Sequence, residues 1–317
     1  MNQQLNLRAA HLVDQLLESP ELLRVTAHKI PGGGRWIDCG LQAEGGLGAG
    51  LALSKICTAG LADIRVIPGE VAGSAWPHLQ VTTDHPVEAC LYSQYAGWQI
   101  SVGKFFAMGS GPMRAVAARE ELFQKLGFRE SAEVAVGVLE GRKVPDEGVV
   151  QYLAERTKVA PSAITLLLAP TASLAGTVQV VARVVETALH KLHEIGFDVK
   201  RIRSATGTAP LAPVAKDDLT GIGRTNDAIL YGGRVTLYVR GDDQSIAETG
   251  PRVPAMASLA HGRPFLAIFA AAGNDFYKID PHLFSPAEIV FPNLDTGRVQ
   301  KFGKVVPEVL QHSFCGE

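Results

Sequence analysis

The middle of the chain alternates apolar strand-like segments with helical segments, and this alternation constrains the fold more than any other feature. Apolar runs of about six residues are typical of buried strands, and apolar residues spaced three and four apart indicate helices. The predicted strands are 134–139, 164–169, 199–204 and 234–240, and the predicted helices are 145–158 and 178–195. This order favours a sheet with helices packed on one face, so we predict an α+β fold.

The segments on either side of this region give weaker signals. Predicted helices lie at 5–17, 51–57 and 86–95, and predicted strands lie at 22–27, 35–39, 63–67, 79–83, 288–291 and 298–302. The stretch 242–263 is polar and rich in Pro, Gly and Ala, so we interpret it as a connector or a mobile excursion. The tail beyond it is predicted to hold a short helix, two of these strands and a final helix.

The length of 317 residues suits two domains. We predict one α+β domain from residues 1–100 completed by 264–317, and a central α+β domain from residues 101–263 that carries the helix 178–195. Hydrophobic residues make up 46% of the chain, which is ample for a core in each domain.

Charge and hydropathy exclude several classes of protein. The net charge of −2 gives no field that would attract nucleic acid or an anionic membrane. The N-terminal segment lacks the basic and apolar regions of a signal peptide, and no run approaches the roughly 20 apolar residues that span a bilayer. We therefore expect a cytoplasmic protein with neither nucleic acid nor membrane as a partner.

The cysteines and the glycine-rich segment argue against two common kinds of cofactor. No two of the four cysteines form a C-x-x-C pair, so we expect buried apolar thiols and no metal site: Cys39, Cys57, Cys90 and Cys315. Within residues 45–50, Gly46, Gly48 and Gly50 spell G-x-G-x-G, which differs from the dinucleotide fingerprint G-x-G-x-x-G. We interpret these glycines as permitting a tight approach of a helix to a strand.

A polar stripe on the predicted helix 178–195 is the most informative candidate site. Gln179, Arg183, Glu186 and His190 lie nearly opposite the apolar face, and their flanks are themselves apolar. Such a stripe suits a helix that lines a cleft. The alternative is an ordinary exposed ion pair three residues apart on a solvated helix face.

Three other polar segments are candidates with an equally plain structural alternative. The turn at residues 109–111, with Arg114 just beyond, either cradles an anion or is a loop before a helix. Asp217, Asp218 and Asp227, near Arg224 and Asn226, either bind polar ligand groups or cap helices and turns. A third candidate, His282, lies in a proline-fixed loop.

Six long strings in this sequence resemble one known family, the methenyltetrahydromethanopterin cyclohydrolases. They are 105–112 (FFAMGSGP), 169–173 (APTAS), 182–187 (ARVVET), 209–218 (APLAPVAKDD), 223–233 (GRTNDAILYGG) and 278–284 (KIDPHLF). The resemblance spans essentially the whole chain and is weakest over 242–263.

The resemblance implies two α+β domains that flank a large pocket, assembled as a cytoplasmic homotrimer. It implies reversible hydrolysis of 5,10-methenyltetrahydromethanopterin, or its dephospho form, to the 5-formyl compound, without a metal or redox cofactor. This step belongs to one-carbon metabolism in methanogens and to formaldehyde oxidation in methylotrophic bacteria. The family's catalytic residues fall on Arg183 and Glu186. The predicted substrate-binding residues are Gly109, Ser110, Gly111, Arg114, Thr171, Ser173, Gln179, Lys216, Asp217, Arg224, Asn226, Asp227 and His282.

The chemistry of this reaction fits the two residue types. The methenyl bridge is already a cation, so the reaction needs a better nucleophile rather than a Lewis acid. A carboxylate at Glu186 can act as general base on water, and Arg183 can orient and tune it. Two alternatives stay open: another pterin-acting one-carbon enzyme, such as a formyl transferase, and a non-catalytic pterin-binding protein.

Overall fold

The computed structural model describes residues 4–273, 275 and 278–316, and it divides the chain into two compact units. The first unit comprises Met1–Ala62 and Glu88–Gln179, and the second comprises Asp63–Val87 and Val180–Glu317. Each unit holds one mixed sheet of six strands with helices packed against it. The predicted α+β class is therefore confirmed.

The elements of the described chain follow each other in a mixed order. The helices are α1 (Leu5–Leu16), α2 (Pro20–Leu23), α3 (Leu47–Cys57), α4 (Met113–Ala117), α5 (Glu121–Leu126), α6 (Glu147–Thr157), α7 (Leu174–Val181), α8 (Val184–Glu194), α9 (Asp218–Gly232), α10 (Asp243–Thr249), α11 (Phe265–Ala271) and α12 (Pro307–Cys315). The strands are β1 (Thr26–Lys29), β2 (Arg35–Asp38), β3 (Asp63–Val71), β4 (Ser74–Thr83), β5 (Trp98–Val102), β6 (Phe105–Ser110), β7 (Ala135–Glu140), β8 (Ile164–Ala169), β9 (Ile202–Pro210), β10 (Arg234–Val239), β11 (Glu288–Pro292) and β12 (Val299–Gly303). A π-helix, Val87–Gln94, and several short 3-10 turns complete the fold. Within the described residues, no helix has the length and apolar character needed to cross a membrane.

The sheet of the first unit has the order β1-β2-β8-β7-β6-β5, with β2, β8 and β7 parallel. One face packs against α4 and α6, and the other packs against α1 and α3. Every residue of β8, and all of β7 except its last, is buried. Unbroken apolar strands of this kind require cover on both faces. The prediction of helices on one face is therefore wrong for this sheet.

The sheet of the second unit has the order β12-β11-β10-β9-β4-β3 and does carry its helices on one face. Buried and half-exposed residues alternate along β9 and β10, as expected for strands covered on one side. The covered side faces α8 and α9. Here the predicted one-sided arrangement is confirmed.

The two sheets divide the chain differently from the predicted domains 1–100 with 264–317 and 101–263. The tail belongs with residues 180–263, because β11 pairs in parallel with β10 and β12 pairs with β11. Residues 101–179 join the first unit, because they supply β6, β7 and β8 to the sheet that contains β2. Pairings between segments so distant in sequence leave no local pattern, so the helix and strand predictions could not assign them.

The stretch 242–263 is folded rather than a mobile connector. Asp242 caps α10 by accepting a hydrogen bond from the Ser245 amide at 2.7 Å. The Arg201 guanidinium donates to the carbonyls of Arg240 and Asp242 and to the Ser245 hydroxyl. The following residues form short 3-10 turns against β12, where Gly250 lies against the Phe302 ring.

Other predicted elements differ in detail. The predicted strand 22–27 is the end of α2 followed by β1, and the predicted helix 86–95 is the π-helix. The turn predicted at residues 109–111 overlaps strand β6, which continues to Ser110. The helix α9 was not predicted, because its glycines, Thr225 and Asn226 are poor helix formers. Packing against α11 and α12 stabilises this helix instead.

The glycine-rich segment ends in a close contact between two helices. A Cβ atom on Gly50 of α3 would lie 2.6 Å from the Val178 Cβ and 3.0 Å from the Ala175 carbonyl oxygen, both on α7. Gly45 similarly fits against the Cys39 carbonyl at the end of β2 and has a φ of 62°. Gly50 does permit a close approach, but it brings α3 against a helix, so the predicted approach of a helix to a strand is wrong at this position.

We expect Gly50→Ala to destabilise the protein by about 1–3 kcal/mol, the usual cost of overpacking a filled core. The matched control is Gly148→Ala in α6, where the nearest atom to a new Cβ is 3.3 Å away. That control should change the stability less than Gly50→Ala does, because its shortest new contact is 3.3 Å rather than 2.6 Å. Chemical denaturation of both variants checks the prediction, and equal stabilities would contradict it.

Candidate functional site

The predicted helix 178–195 is broken at the candidate catalytic residues. α7 ends at Val181 and α8 begins at Val184, with Arg183 between them at φ −80° and ψ 3°. The Arg183 amide donates to the Val180 carbonyl at 3.1 Å, and its own carbonyl accepts from Thr187 at 2.9 Å. The break puts Glu186 in the first turn of α8, where the helix dipole favours a carboxylate.

Arg183 and Glu186 form a buried ion pair. The Arg183 Nη1 lies 3.7 Å from the Glu186 Oε2, and the two side chains are 8% and 4% exposed. The alternative of an ordinary solvated pair is therefore wrong. A distance of 3.7 Å is too long for a hydrogen bond, so the two groups interact through their charges. A buried pair of this kind rarely adds stability over apolar residues of similar volume.

Two predicted binding residues of the first unit meet at a cysteine. Ser110, at the end of β6, donates to the Val138 carbonyl at 3.1 Å, and its Oγ lies 3.4 Å from the Cys57 Sγ. The Gln179 Nε2 lies 3.8 Å from the same sulfur. Gly109 precedes Ser110 in β6, and Gly111 follows the strand with a φ of 86°. Cys57 was not predicted to lie beside these residues, because in sequence it resembles any other small apolar residue of α3.

The loop between β8 and α7 holds two further predicted residues. The Ser173 hydroxyl accepts from the Gly176 amide at 3.0 Å and so caps α7, while it donates to the Pro170 carbonyl at 2.7 Å. Thr171 donates to the Glu140 carboxylate, at the end of β7. The loop lies at the carboxyl ends of parallel strands, where α/β sheets commonly bind ligands. Glu140 was missed, although an acid that ends an apolar strand could have been noticed.

Arg114 has contacts that favour a structural role over the predicted anion binding. Its side chain is fully buried and forms a two-point ion pair with Glu120. Its Nη1 also donates to the carbonyls of Leu91 and Ser93 at 3.1 and 3.2 Å. Arg114 thereby joins the π-helix to α4 and α5.

Several predicted residues of the second unit stabilise α9 and its surroundings. Asp217 caps α9 by accepting from the Thr220 amide at 2.8 Å, with exposed Lys216 beside it. Arg224 donates to the Ser313 and Val214 carbonyls, both at 3.3 Å, and Asn226 donates to the Ile222 carbonyl at 2.8 Å. The capping alternative is confirmed for Asp217.

Asp227 joins three helices. Its Oδ1 accepts from the Phe265 amide at the start of α11 at 2.8 Å, and its Oδ2 accepts from the Ser313 hydroxyl of α12 at 2.6 Å. The residue is 1% exposed. Burial raises the pKa of Asp227 to about 7, against the lowering effect of these hydrogen bonds and of His312. These contacts favour a structural role for Asp227.

His282 lies in a 3-10 turn, Pro281–Leu283, and is exposed. Its amide donates to the Asp280 Oδ1 at 3.0 Å. Its carbonyl accepts from the ammonium group of Lys191, a buried residue of α8 that the sequence analysis did not identify. Of the predicted loop residues, His282 thus has a fixed backbone and an accessible ring.

The fold and the buried pair define a two-unit α+β protein with the Arg183–Glu186 ion pair at a break between two helices. The family described as Cyclohydrolase (MCH) matches residues 4–314, so this chain belongs to that family. A methenyltetrahydromethanopterin cyclohydrolase of Methylobacillus flagellatus is 46% identical over 96% of this chain and 93% of its own. Proteins of the same name from Xanthobacter autotrophicus and Methanosarcina barkeri are 47% and 41% identical, over 97% and 98% of this chain and 91% and 97% of their own.

We expect the raised pKa of Asp227 to make the protein less stable as the pH rises. The folded state holds this proton from the usual pKa of 3.8 up to about 7, whereas the unfolded chain releases it. Stability from this group is therefore full below pH 4 and is lost on the way to pH 7, by on the order of 4 kcal/mol. Asp227→Asn should remove this contribution, because its amide stays neutral.

The measurement is the free energy of unfolding between pH 4 and pH 8 for the parent and Asp227→Asn. The difference between the two curves should change by several kcal/mol across this interval. Asp63→Asn, at an exposed position of β3, should leave the curve unchanged. Parallel curves for the parent and Asp227→Asn would show that Asp227 is ionised throughout.

Proposed function

We propose that this protein hydrolyses the methenyl bridge of 5,10-methenyltetrahydromethanopterin, or of its dephospho form, to give the 5-formyl compound. The buried Arg183–Glu186 pair at the helix break carries the proposal. Membership of the cyclohydrolase family and relatives of that name over nearly the whole chain support it.

The proposed chemistry begins with the attack of water on a cation. The methenyl carbon is bonded to two nitrogens that share a positive charge, so it is electrophilic without further activation. Glu186 takes a proton from water as the oxygen bonds to this carbon, an effect worth roughly 10²–10⁴-fold in rate. The product of this step is a tetrahedral carbinolamine, and the carboxylate is protonated.

The second step breaks one carbon–nitrogen bond. The departing nitrogen needs a proton, and protonated Glu186 can return the one it took. The carbinolamine hydroxyl loses its proton to solvent as the formyl carbonyl forms, so the overall reaction releases one proton. The other nitrogen keeps the formyl group.

Arg183 supports Glu186 in this scheme. Its guanidinium lies 3.7 Å from the carboxylate, so it can hold the carboxylate in one orientation. Charges act strongly on each other in so buried a place, because little water screens them. The negative carboxylate also attracts the cationic substrate, which adds to binding as well as to proton transfer.

The two other candidate functions have less support. A non-catalytic pterin-binding protein has no need for a buried carboxylate at a helix break. A formyl transferase needs a second acceptor, and no described feature indicates one. Loss of the methenyl chromophore on adding protein to the coenzyme separates hydrolysis from binding alone. The homotrimer and the choice between the phosphorylated and dephospho coenzymes stay predictions.

We expect Glu186→Gln to lower turnover by at least about 10²-fold, the lower end of what a general base supplies. Gln keeps the shape of Glu but cannot take a proton at neutral pH. Arg183→Ala should also slow turnover. The matched control is Glu194→Gln at the other end of α8, whose side chain is 46% exposed and whose rate should stay within a few-fold of the parent.

Turnover, substrate affinity and melting temperature should be measured for each variant. Affinity should fall less than turnover, because a large coenzyme makes most of its contacts elsewhere. Turnover of Glu186→Gln within a few-fold of the parent would remove Glu186 as the base.

We expect the activity to survive chelation of metal ions. The substrate cation already supplies the electrophile that a metal ion would otherwise create. The check is the rate before and after incubation with EDTA and gel filtration. A rate lost on chelation and restored by one added metal would contradict the proposal of a metal-free mechanism.

A further inference from the structure

Lys191 is a buried cation on the helix that carries Glu186. It is 2% exposed, and lysine is almost never so buried without a partner. Removing an ammonium group from water is costly, so its contacts must offset that cost. Neither the predicted site nor the proposed mechanism uses this residue.

Within the part of the chain that the structure describes, the partners of Lys191 lie outside its own helix. Its Nζ donates to the carbonyl of His282. Burial lowers the pKa of Lys191 to about 8, the negative charge of Asp280 acts in the opposite direction, and Arg252 adds to the lowering. Lys191 therefore holds the segment around residues 280–282 by a charge-assisted hydrogen bond and by attraction to a carboxylate.

Asp280 fixes the same segment from the other side. Its Oδ1 accepts from the His282 amide at 3.0 Å, and its Oδ2 accepts from the Ser258 hydroxyl at 2.5 Å. Pro281 restricts the backbone between them, and Leu283 is fully buried. The amide and the carbonyl of His282 are thus both held, while its ring is exposed.

We call the contacts of Lys191 with residues 280–282 the tether. The helix α8 links this tether to the candidate catalytic residues. Lys191 follows Glu186 by five residues, which is roughly 7–8 Å along a helix axis. A short buried helix is rigid on this scale, so a loop held by Lys191 keeps a fixed distance from Glu186.

We propose that Lys191 is a positioning residue, which fixes the loop 278–284 and its exposed His282 ring relative to the helix that carries Arg183 and Glu186. The role in substrate binding rests on the proposed function, whereas the tether itself does not. Lys191 does not act on the reacting atoms; it acts through the loop.

The tether has a consequence for pH dependence. The charged or titratable groups acting on Lys191 are Asp280 and Arg252, and His282 is the residue whose carbonyl it binds. Above about pH 8 the amine becomes neutral, its hydrogen bond weakens and the attraction to Asp280 ends. We expect the KM for the methenyl coenzyme to rise above this pH while kcat changes little.

The experiment compares Lys191→Met, Lys191→Arg and Ser258→Ala with the parent. Lys191→Met should raise KM roughly ten-fold, the low end of what the loss of a charge-assisted hydrogen bond causes, with kcat within about two-fold. Lys191→Arg should restore most of the binding and abolish the rise in KM near pH 8. The matched control is Lys125→Met on α5, whose lysine is 51% exposed and whose KM should not change.

Hydrogen exchange of the backbone amides tests the tether without the substrate. Exchange in residues 278–284 should become faster in Lys191→Met and in Ser258→Ala, and in the parent above pH 8 after correction for the intrinsic rate. If the parent does not act on the methenyl coenzyme, the proposed function fails, and exchange alone decides about the tether. Unchanged exchange together with an unchanged KM in folded Lys191→Met overturns the proposal. If Lys191→Met does not fold, unchanged exchange and KM in Ser258→Ala, with no rise in the parent's KM above pH 8, overturn it.

Discussion

The burial of three charged side chains on one helix is the constraint around which the second unit is organised. Arg183 precedes α8, Glu186 lies in its first turn, and Lys191 lies near its last, all between 2% and 6% exposed. The half-exposed side of α8 carries Thr187, His190 and Glu194, whereas these three charges lie on its buried sides. Each charge must therefore find its partner within the protein. Arg183 and Glu186 face each other, and Lys191 binds the loop 278–284.

The fold was predictable where the pattern was local. The unbroken apolar runs of β7 and β8 and the alternation along β10 gave the strands nearly to their ends. The break between α7 and α8 was hidden, because neither Ala182 nor Arg183 disfavours a helix and the apolar spacing continues through them. The sequence pattern could not assign the tail, residues 264–317, to the second unit either, because this assignment depends on the parallel pairing of β10 with β11.

The candidate site was predictable in its chemistry and not in its burial. The sequence identified Arg183 and Glu186, but it could not decide between a solvated and a buried pair. The same lack of information about burial led us to treat Arg114 and Asp227 as binding residues, whereas their contacts join helices. Lys191 was missed for the converse reason, because a lysine in an amphipathic helix is usually exposed.

The division of the second unit along the chain affects the order in which it can form during synthesis. β3 and β4 pair with each other early, but the free edge of β4 waits for β9, whose residues 205–210 are its partners. At 5–20 residues per second, the roughly 120 residues between them take about 6 to 24 seconds to translate. The whole of the first unit's second segment emerges in that interval. During this interval the β3–β4 hairpin exposes the unpaired edge of β4. An exposed strand edge of this kind is prone to pair with the wrong strand.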